Sequence, residues 1–302
     1  MSPRVLVTGA SGFIGRGCLE KLAQAGFAVH AVGVRDHPQV AQHEQWHKVN
    51  LLDPASAASL IARVRPTHLL HLAWVAGPGV FWTSPDNLRW LASSIELVRA
   101  FFAHGGKRVV GAGTCAEYAW VTEDFKEGVT PLAPDTVYGR CKLAAGLAFE
   151  AAALAAGGSA AWARLFFPYG PGDPSARLIP SVIRGLLKRE PVECTHGNQV
   201  RDFIFVDDAA EALLKLLTSP ATGAFNVGSG RPLSVREVVS VICARVGGED
   251  LVRFGAHAAP PGDPPRAVAD ITRMRQELGW EPRFSIEAGI ERTIAAWRQA
   301  AA

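Results

Sequence analysis

The stretch Gly9-Ala10-Ser11-Gly12-Phe13-Ile14-Gly15 constrains this chain more than any other. It follows Val5-Leu6-Val7-Thr8, a short apolar run suited to a buried strand. It precedes residues 14–25, where apolar side chains at 14, 18, 19 and 22 keep helical spacing. Glycine weakens both strand and helix unless the backbone needs it. Three glycines at steps of three, where a strand turns into a helix, meet such a need. The first allows the tight turn, the second lets a diphosphate approach the backbone, and the third lets the helix pack on the strand. The free N–H groups and the helix dipole then hold the anion. The stretch predicts a dinucleotide cradle.

The pattern continues as alternating strands and helices. Residues 27–34 read as a strand. Asp53-Pro54 reads as a helix N-cap and first turn, with Leu60, Ile61 and Val64 on its inner face. Residues 68–73 form the next strand. Leu88, Leu91, Ile95, Val98 and Phe102 mark a helix face, and strand 108–111, helix 138–156 and strand 161–167 follow. Such repetition predicts an α/β fold: a Rossmann-type, doubly wound parallel sheet with helices on both faces. Beyond residue 166 proline and glycine rise and the elements shorten. Residues 203–206 and 224–227 fit strands returning to the large sheet, and Ser234-Val235-Arg236-Glu237 is a capping box. Residues 260–265, Pro-Pro-Gly-Asp-Pro-Pro, read as a rigid loop. The expected division is a dinucleotide-binding domain over 1–166, to which about 202–228 return, and a smaller, mostly C-terminal α/β substrate lobe over 167–302.

A net charge of +3 over 302 residues, with Lys and Arg scattered, argues against nucleic acid as a partner. The five cysteines form no CxxC pair and no metal-binding group with histidine, so no metal is expected. The start shows no signal peptide, and Glu150 and paired glycines interrupt the Ala-rich stretch 143–163. The expectation is free thiols in a cytoplasmic protein without a membrane segment.

Tyr138-Gly139-Arg140-Cys141-Lys142 places a phenol and an ammonium at i and i+4, on one helix face. A nearby cation lowers a phenol from its usual pKa near 10 and lets it pass protons to a hydroxyl or carbonyl.

Taken together, these motifs resemble the extended short-chain dehydrogenase/reductase superfamily of nucleotide-sugar epimerases, dehydratases and reductases. Further matches are His71-Leu72-Ala73, Asn87, Thr114 four residues before Tyr118, residues 164–171 and 201–208, Phe225-Asn226-Val227-Gly228-Ser229-Gly230, and Leu278-Gly279-Trp280. The resemblance spans essentially the whole chain. It implies catalytic Thr114, Tyr138 and Lys142, with Thr114 polarising the reacting carbonyl. It places the cofactor along Gly9, Ser11, Gly12, Phe13, Ile14 and Gly15, then along Asn50, Leu51, Leu72, Ala73, Trp74 and Phe166, with Tyr138 and Lys142. The family's ribose-binding acid falls on Gly33. Arg35 lies just beyond and Arg16 follows the cradle, which favours NADP over NAD, although Asp36 remains an alternative acid. Phe167 stands where relatives carry a substrate-binding Asn, and Pro260 where many carry a diphosphate-binding Arg. Arg201, Arg231 and Arg266 are the candidate replacements. Trp74 and Trp82 are candidates to wall the sugar or base, against plain core packing. The resemblance also implies a homodimer through the helices at 88–102 and 138–156.

Absences narrow the chemistry. Cys115 and Ala116 replace the Asp-Glu pair of the family's 4,6-dehydratases. The 3,5-epimerase cysteine falls on Ala116, leaving Cys115 as an acid/base or a packed thiol. What remains is hydride transfer at one carbon. The first reading is an NADPH-dependent reductase of a nucleotide-linked 4-keto-6-deoxyhexose. The second is a 4-epimerase with tightly held NAD. A different class, a dinucleotide-binding regulator without catalysis, is disfavoured by the intact Thr114, Tyr138 and Lys142.

Overall fold

The computed structural model describes residues 2–35, 44–75, 77, 79–260 and 262–301. Along the first half run β1 (Arg4–Thr8), α1 (Phe13–Gln24), β2 (Ala28–Gly33), β3 (Glu44–Lys48), α2 (Pro54–Val64), β4 (His68–His71), α3 (Asp86–Ala103), β5 (Arg108–Thr114), α4 (Val137–Ala156) and β6 (Ser159–Leu165). The second half carries β7 (Phe167–Tyr169), α5 (Leu178–Leu187), β8 (Val192–Cys194), β9 (Val200–Phe205), α6 (Val206–Thr218) and β10 (Gly223–Val227). It continues with β11 (Pro232–Ser234), α7 (Val235–Val246), β12 (Val252–Phe254), β13 (Arg266–Ala267), α8 (Thr272–Leu278) and α9 (Ile286–Ala301).

Among the described residues seven strands form one sheet in the order β10-β6-β5-β4-β1-β2-β3. Every pairing in it is parallel. Its central strands are largely apolar on both faces because helices cover both, whereas the edge strand β3 is mostly polar. The side chains of α1 and α6 bury one face around Val5, Val7, Leu22 and Leu213. Those of α2, α3 and α4 bury the other around Leu6, Leu60, Phe101 and Phe149. The chain turns outward in opposite directions from β1 and β4, so the carboxyl ends of these two strands frame the crevice where such folds bind ligands. The Asp53 cap and the Ser234 capping box form as expected.

Two expectations are corrected. The first concerns residues 203–206, which do not join the large sheet. Residues 203–205 belong to β9, which pairs with β11, β13 and β7 in a second sheet, and Val206 opens α6. The strand expected over 161–167 breaks at Phe166, whose N–H donates to Val227 O at 3.0 Å. After that break β7 leaves the large sheet and pairs with β9. Ile204 then faces the large core, while Phe203 and Phe205 pack in the smaller lobe with α5, α7 and α9. The strand is thus buried on both sides between lobes.

The second concerns α3, whose buried face is Asn87, Ser93, Ser94, Leu97, Val98, Phe101 and Phe102, whereas Leu88 is 60% and Ile95 36% exposed. Asn87 and Ser94 face inward because buried partners receive them, as described below. Among the described residues no helix is long and apolar enough to cross a membrane.

Candidate active site

The cradle is built at the carboxyl end of β1. Gly12 caps α1 without a side-chain cap, so the first N–H groups of the helix point out of the turn. Its own N–H donates to Gly9 O at 2.9 Å. Gly9 sits at φ +67, and a Cβ there would lie 2.8 Å from Ala73 N. A Cβ on Gly15 would collide with the Gly9 carbonyl oxygen. These contacts leave room only for glycine and hold the backbone open to a diphosphate, so the residues fit a dinucleotide. Ser11 is exposed, Phe13 and Ile14 are half-buried, and Arg16 is turned back onto Ser11 O at 2.8 Å.

The other cofactor candidates lie along the same edge. Leu72 and Ala73 donate their N–H groups to Thr8 Oγ1 at 3.1 and 3.2 Å. That hydroxyl's own proton goes to His71 Nδ1 at 2.9 Å. His71 Nε2–H then donates to Ser94 Oγ at 2.9 Å, and Ser94 donates to Trp90 O at 2.7 Å. This relay fixes one neutral tautomer of His71, consistent with burial pushing the imidazole down to about 3, with Lys142 adding to it. Asn50 follows β3 and accepts Leu52 N–H at 3.1 Å. Leu51 and Phe166 are buried.

At Gly33 a Cβ would run into the indole of Trp46, whose Nε1–H donates to Arg35 O at 3.0 Å. The place of the ribose acid is filled by this indole, and Arg35 is exposed beside it. Asp36 lies outside the described residues.

The candidate catalytic residues come together where β5 meets α4. Thr136 caps α4 by accepting Gly139 N–H at 3.0 Å. A Cβ at Gly139 would collide with Ala116 O, so the helix start lies directly on the turn after Thr114. Lys142 is 4% exposed and donates to Ala112 O at 2.8 Å. Its Nζ stands 4.0 Å from the centre of the Trp74 ring and 6.0 Å from that of Tyr138. Burial lowers this ammonium to about 7, and Glu117 holds against the fall. Burial also raises the Tyr138 phenol well above its usual range, with a hydrogen bond to Thr114 pulling it back.

Phe81 and Trp82 stand edge-on to the Tyr138 ring, at 4.8 Å and 78° and at 5.7 Å and 88°. The backbone of Tyr138 donates to Trp82 O at 3.1 Å. Buried Asn87 holds this aromatic wall. Its Nδ2 donates to Phe81 O and Ser84 O at 2.7 and 2.8 Å, and its Oδ1 accepts Trp74 Nε1–H at 2.8 Å. The structure therefore gathers Thr114, Tyr138, Lys142, Trp74 and Trp82.

The three candidate arginines are differently committed. Arg201 is buried, bonded to Asp263 at 2.6 Å and Pro264 O at 2.8 Å, with its guanidinium 5.4 Å from the Phe167 ring. Arg266 pairs with Asp124, its Nε at 3.1 Å. Arg231 is exposed and reaches Phe284 O at 3.4 Å. Cys115 packs against Tyr118, Phe125 and Phe166, and burial pushes its thiol up to about 12, which marks a packed thiol. No group of three or more metal-ligating side chains exists among the described residues.

Two site features escaped the sequence reading. Glu117, fully buried, accepts Thr114 N–H at 2.8 Å, Trp162 Nε1–H at 2.9 Å and Arg164 Nε–H at 2.8 Å. Arg164 also donates to Tyr118 OH at 3.0 Å, and Tyr118 donates to Asn226 Oδ1 at 2.7 Å. The available signal was charge: Glu117 and Arg164 sit in apolar surroundings, where buried charges pair. Arg177 caps the start of α5, bonds Asp173 at 2.8 Å and places its guanidinium 6.0 Å from the Phe13 ring, at the edge of the cradle. Nothing in its local sequence marks it.

Residues 5–228 match the model of the NAD dependent epimerase/dehydratase family. The chain is 32% identical to the UDP-glucose 4-epimerase of Azospirillum brasilense over 327 residues, covering 99% of this chain and 92% of that protein. It is 27% identical to the dTDP-glucose 4,6-dehydratase of Neisseria gonorrhoeae, covering 96% and 94% of the two chains. The Thermus thermophilus UDP-glucose 4-epimerase, solved with NAD, superposes at a TM-score of 0.90 with 28% identity over 98% of this chain and 99% of that one. With a cradle shaped by Gly9, Gly12 and Gly15 and a Thr114–Tyr138–Lys142 corner beside it, the chain belongs to the NAD-dependent epimerase/dehydratase family.

Proposed function

We propose that this protein transfers hydride at C4 of a hexose carried on a nucleoside diphosphate, and that it reduces a 4-keto-6-deoxyhexose with NADPH. The observation that carries the C4 chemistry is the convergence of Thr114, Tyr138 and Lys142 next to apolar Cys115 and Ala116. Hydride exchange needs a proton carrier and a carbonyl-polarising hydroxyl. Water elimination needs a further acid and base, and Cys115 and Ala116 supply neither, while Glu117 in the same turn is committed to Thr114 N–H, Trp162 and Arg164. A nicotinamide dinucleotide on the glycine cradle supplies the hydride. Tyr138 Oη delivers the proton to the C4 oxygen, and the Thr114 hydroxyl donates to the same oxygen as charge develops. Lys142 holds positive charge beside the phenol and so eases its loss of the proton. The smaller lobe supplies the substrate's diphosphate contacts, with Arg231 and Arg177 the cations placed for them. Trp46 over Gly33, with Arg35 exposed beside it, favours the 2′-phosphorylated cofactor.

The second reading is a 4-epimerase that retains NAD. The full-length likeness to the Azospirillum enzyme and the NAD in the Thermus structure favour it. Absorbance at 340 nm with NADPH or NADH and a panel of nucleotide-linked 4-keto sugars separates the two. Faster loss of NADPH with one substrate supports the reductase. No loss with any substrate, with NAD released only on denaturation, overturns it for the epimerase.

A further inference from the structure

Away from the cradle, the amino-terminal ends of β1 and β2 and the carboxyl end of α2 form an open surface pocket, with Ala28 and Val64 among its lining residues. Its volume is about 510 Å³, and Arg4, His30, Gln45, His47, Arg63 and Arg65 line it. The register pairs His30 with Gln45, and strand alternation puts His47 on the same face. His30 is 7% exposed. Its Nδ1 lies 3.0 Å from His47 Nε2, with the rings stacked at 5.3 Å and 19°. One of these nitrogens must donate and the other accept, so the couple is neutral or singly protonated.

Among the described residues no carboxylate lines this pocket. Arg4 is accounted for: its Nε and Nη2 donate to Arg65 O at 3.0 and 2.7 Å, closing the left-handed end of α2. Among the described residues the guanidinium groups of Arg63 and Arg65 have no such structural task. Burial first, then His47 and Arg4, push His30 down to about 4, and burial with Arg63 lowers His47. A transition metal would use the imidazoles, but three guanidiniums repel a cation and the mutual hydrogen bond occupies the facing nitrogens. Guanidinium forks match phosphate oxygens, and the volume is that of a small-ligand site.

We propose that this pocket binds a phosphate group, free or borne by a small organic molecule, between Arg63, Arg65 and the His30–His47 couple. The site is separate from the cradle and does not depend on the proposed reaction. Binding an anion there favours the protonated couple and is accompanied by proton uptake.

Histidine Cε1–H NMR signals of the whole protein test it, with inorganic phosphate and, separately, ADP titrated at low salt. Comparison with a His47→Gln variant assigns the signals, and the His71 signal reports the fold. The expected result is a saturable shift of the His30 and His47 signals, with their titration midpoints moving up by roughly one to three units. In an Arg63→Ala/Arg65→Ala variant this shift is lost while His71 is unchanged. Response to both probes supports a site for free phosphate. Response to ADP alone supports an organic phosphate. No shift, a shift that never saturates, or a shift that survives the double arginine variant overturns the proposal. ADP entering the cradle cannot imitate the result, because it would persist in that variant.

Discussion

Replacing Glu117 by Gln separates two jobs that this buried carboxylate performs. Gln keeps an oxygen for Thr114 N–H and Trp162 Nε1–H, at 2.8 and 2.9 Å in the native chain. It turns an NH2 toward Arg164 Nε, donor against donor. The side chains of Arg164 and Glu117 are 6% and 0% exposed, so solvent cannot take over. Removing one partner of a buried pair costs about 3–5 kcal/mol. At about 2 °C per kcal/mol for a chain of this size, the melting temperature should fall by roughly 6–10 °C. Removing both charges avoids the stranded guanidinium, so Glu117→Gln/Arg164→Met should recover at least half of that loss.

The second job is electrostatic. Glu117 holds the Lys142 ammonium up against burial, which brings it to about 7. Without Glu117 the ammonium loses its proton at lower pH. The limb of the kcat/KM profile on which activity falls with rising pH should move to lower pH in both variants. Stability thus recovers in the double variant while the pH shift does not. Circular dichroism melts and a pH–rate series read the two effects independently. A single variant melting within about 2 °C of the native protein, a double variant less stable than the single, or an unmoved limb refutes the reasoning.

Other outcomes follow from the same geometry. Tyr138→Phe should retain dinucleotide binding by fluorescence titration while turnover falls about 10²–10⁴-fold. Gly15→Ala should abolish that binding, because its Cβ meets the Gly9 carbonyl, and calorimetry with the dinucleotide checks it. His71 stays neutral down to about 3, against an ordinary 6.5, because burial disfavours its charge. The unfolded chain therefore binds a proton that the native one refuses, and stability falls as pH drops from about 6.5, by about 1.4 kcal/mol per unit; urea midpoints of His71→Gln should fall less steeply. Leu88, Ile95, Leu147 and Leu154 form exposed apolar positions on the packed pair α3 and α4, and we propose that a second copy covers them. Leu147→Glu/Leu154→Glu should halve the mass seen by light scattering.

Legibility in the sequence followed the range of the interaction. The cradle was readable because its demands fall within seven residues: a left-handed Gly9 and two close approaches. Tyr138 and Lys142 were readable because one helix aligns them. Trp46 over Gly33 was not, since the indole arrives from the neighbouring strand. The face of α3 misled because hydrophobic periodicity cannot foresee that His71 and Trp74 will draw Ser94 and Asn87 inward. Glu117 needed Arg164 from the next strand, 47 positions away, to become intelligible.

That long-range pairing explains why motif segments far from the cradle accompany the candidate catalytic corner. Asn226, Arg164 and Gly113 occupy one rung across β10, β6 and β5. Glu117 and Tyr118 lock this rung to Thr114, and a Cβ at Gly113 would strike both Trp162 Nε1 and Glu117. Asn226 passes the connection on through its Nδ2 to Phe125 O at 2.7 Å. Asp202 completes it by accepting Ser229 N–H, Gly230 N–H and Ala269 N–H at 2.5, 2.9 and 3.1 Å, joining β9 to the turn after β10. The family-like segments at 201–208 and 225–230 therefore keep the smaller lobe in register with the strand that presents Thr114. A substitution at Asp202 or Asn226 should be read first as a change in that register, and as a lost substrate contact only if the melting temperature is unchanged.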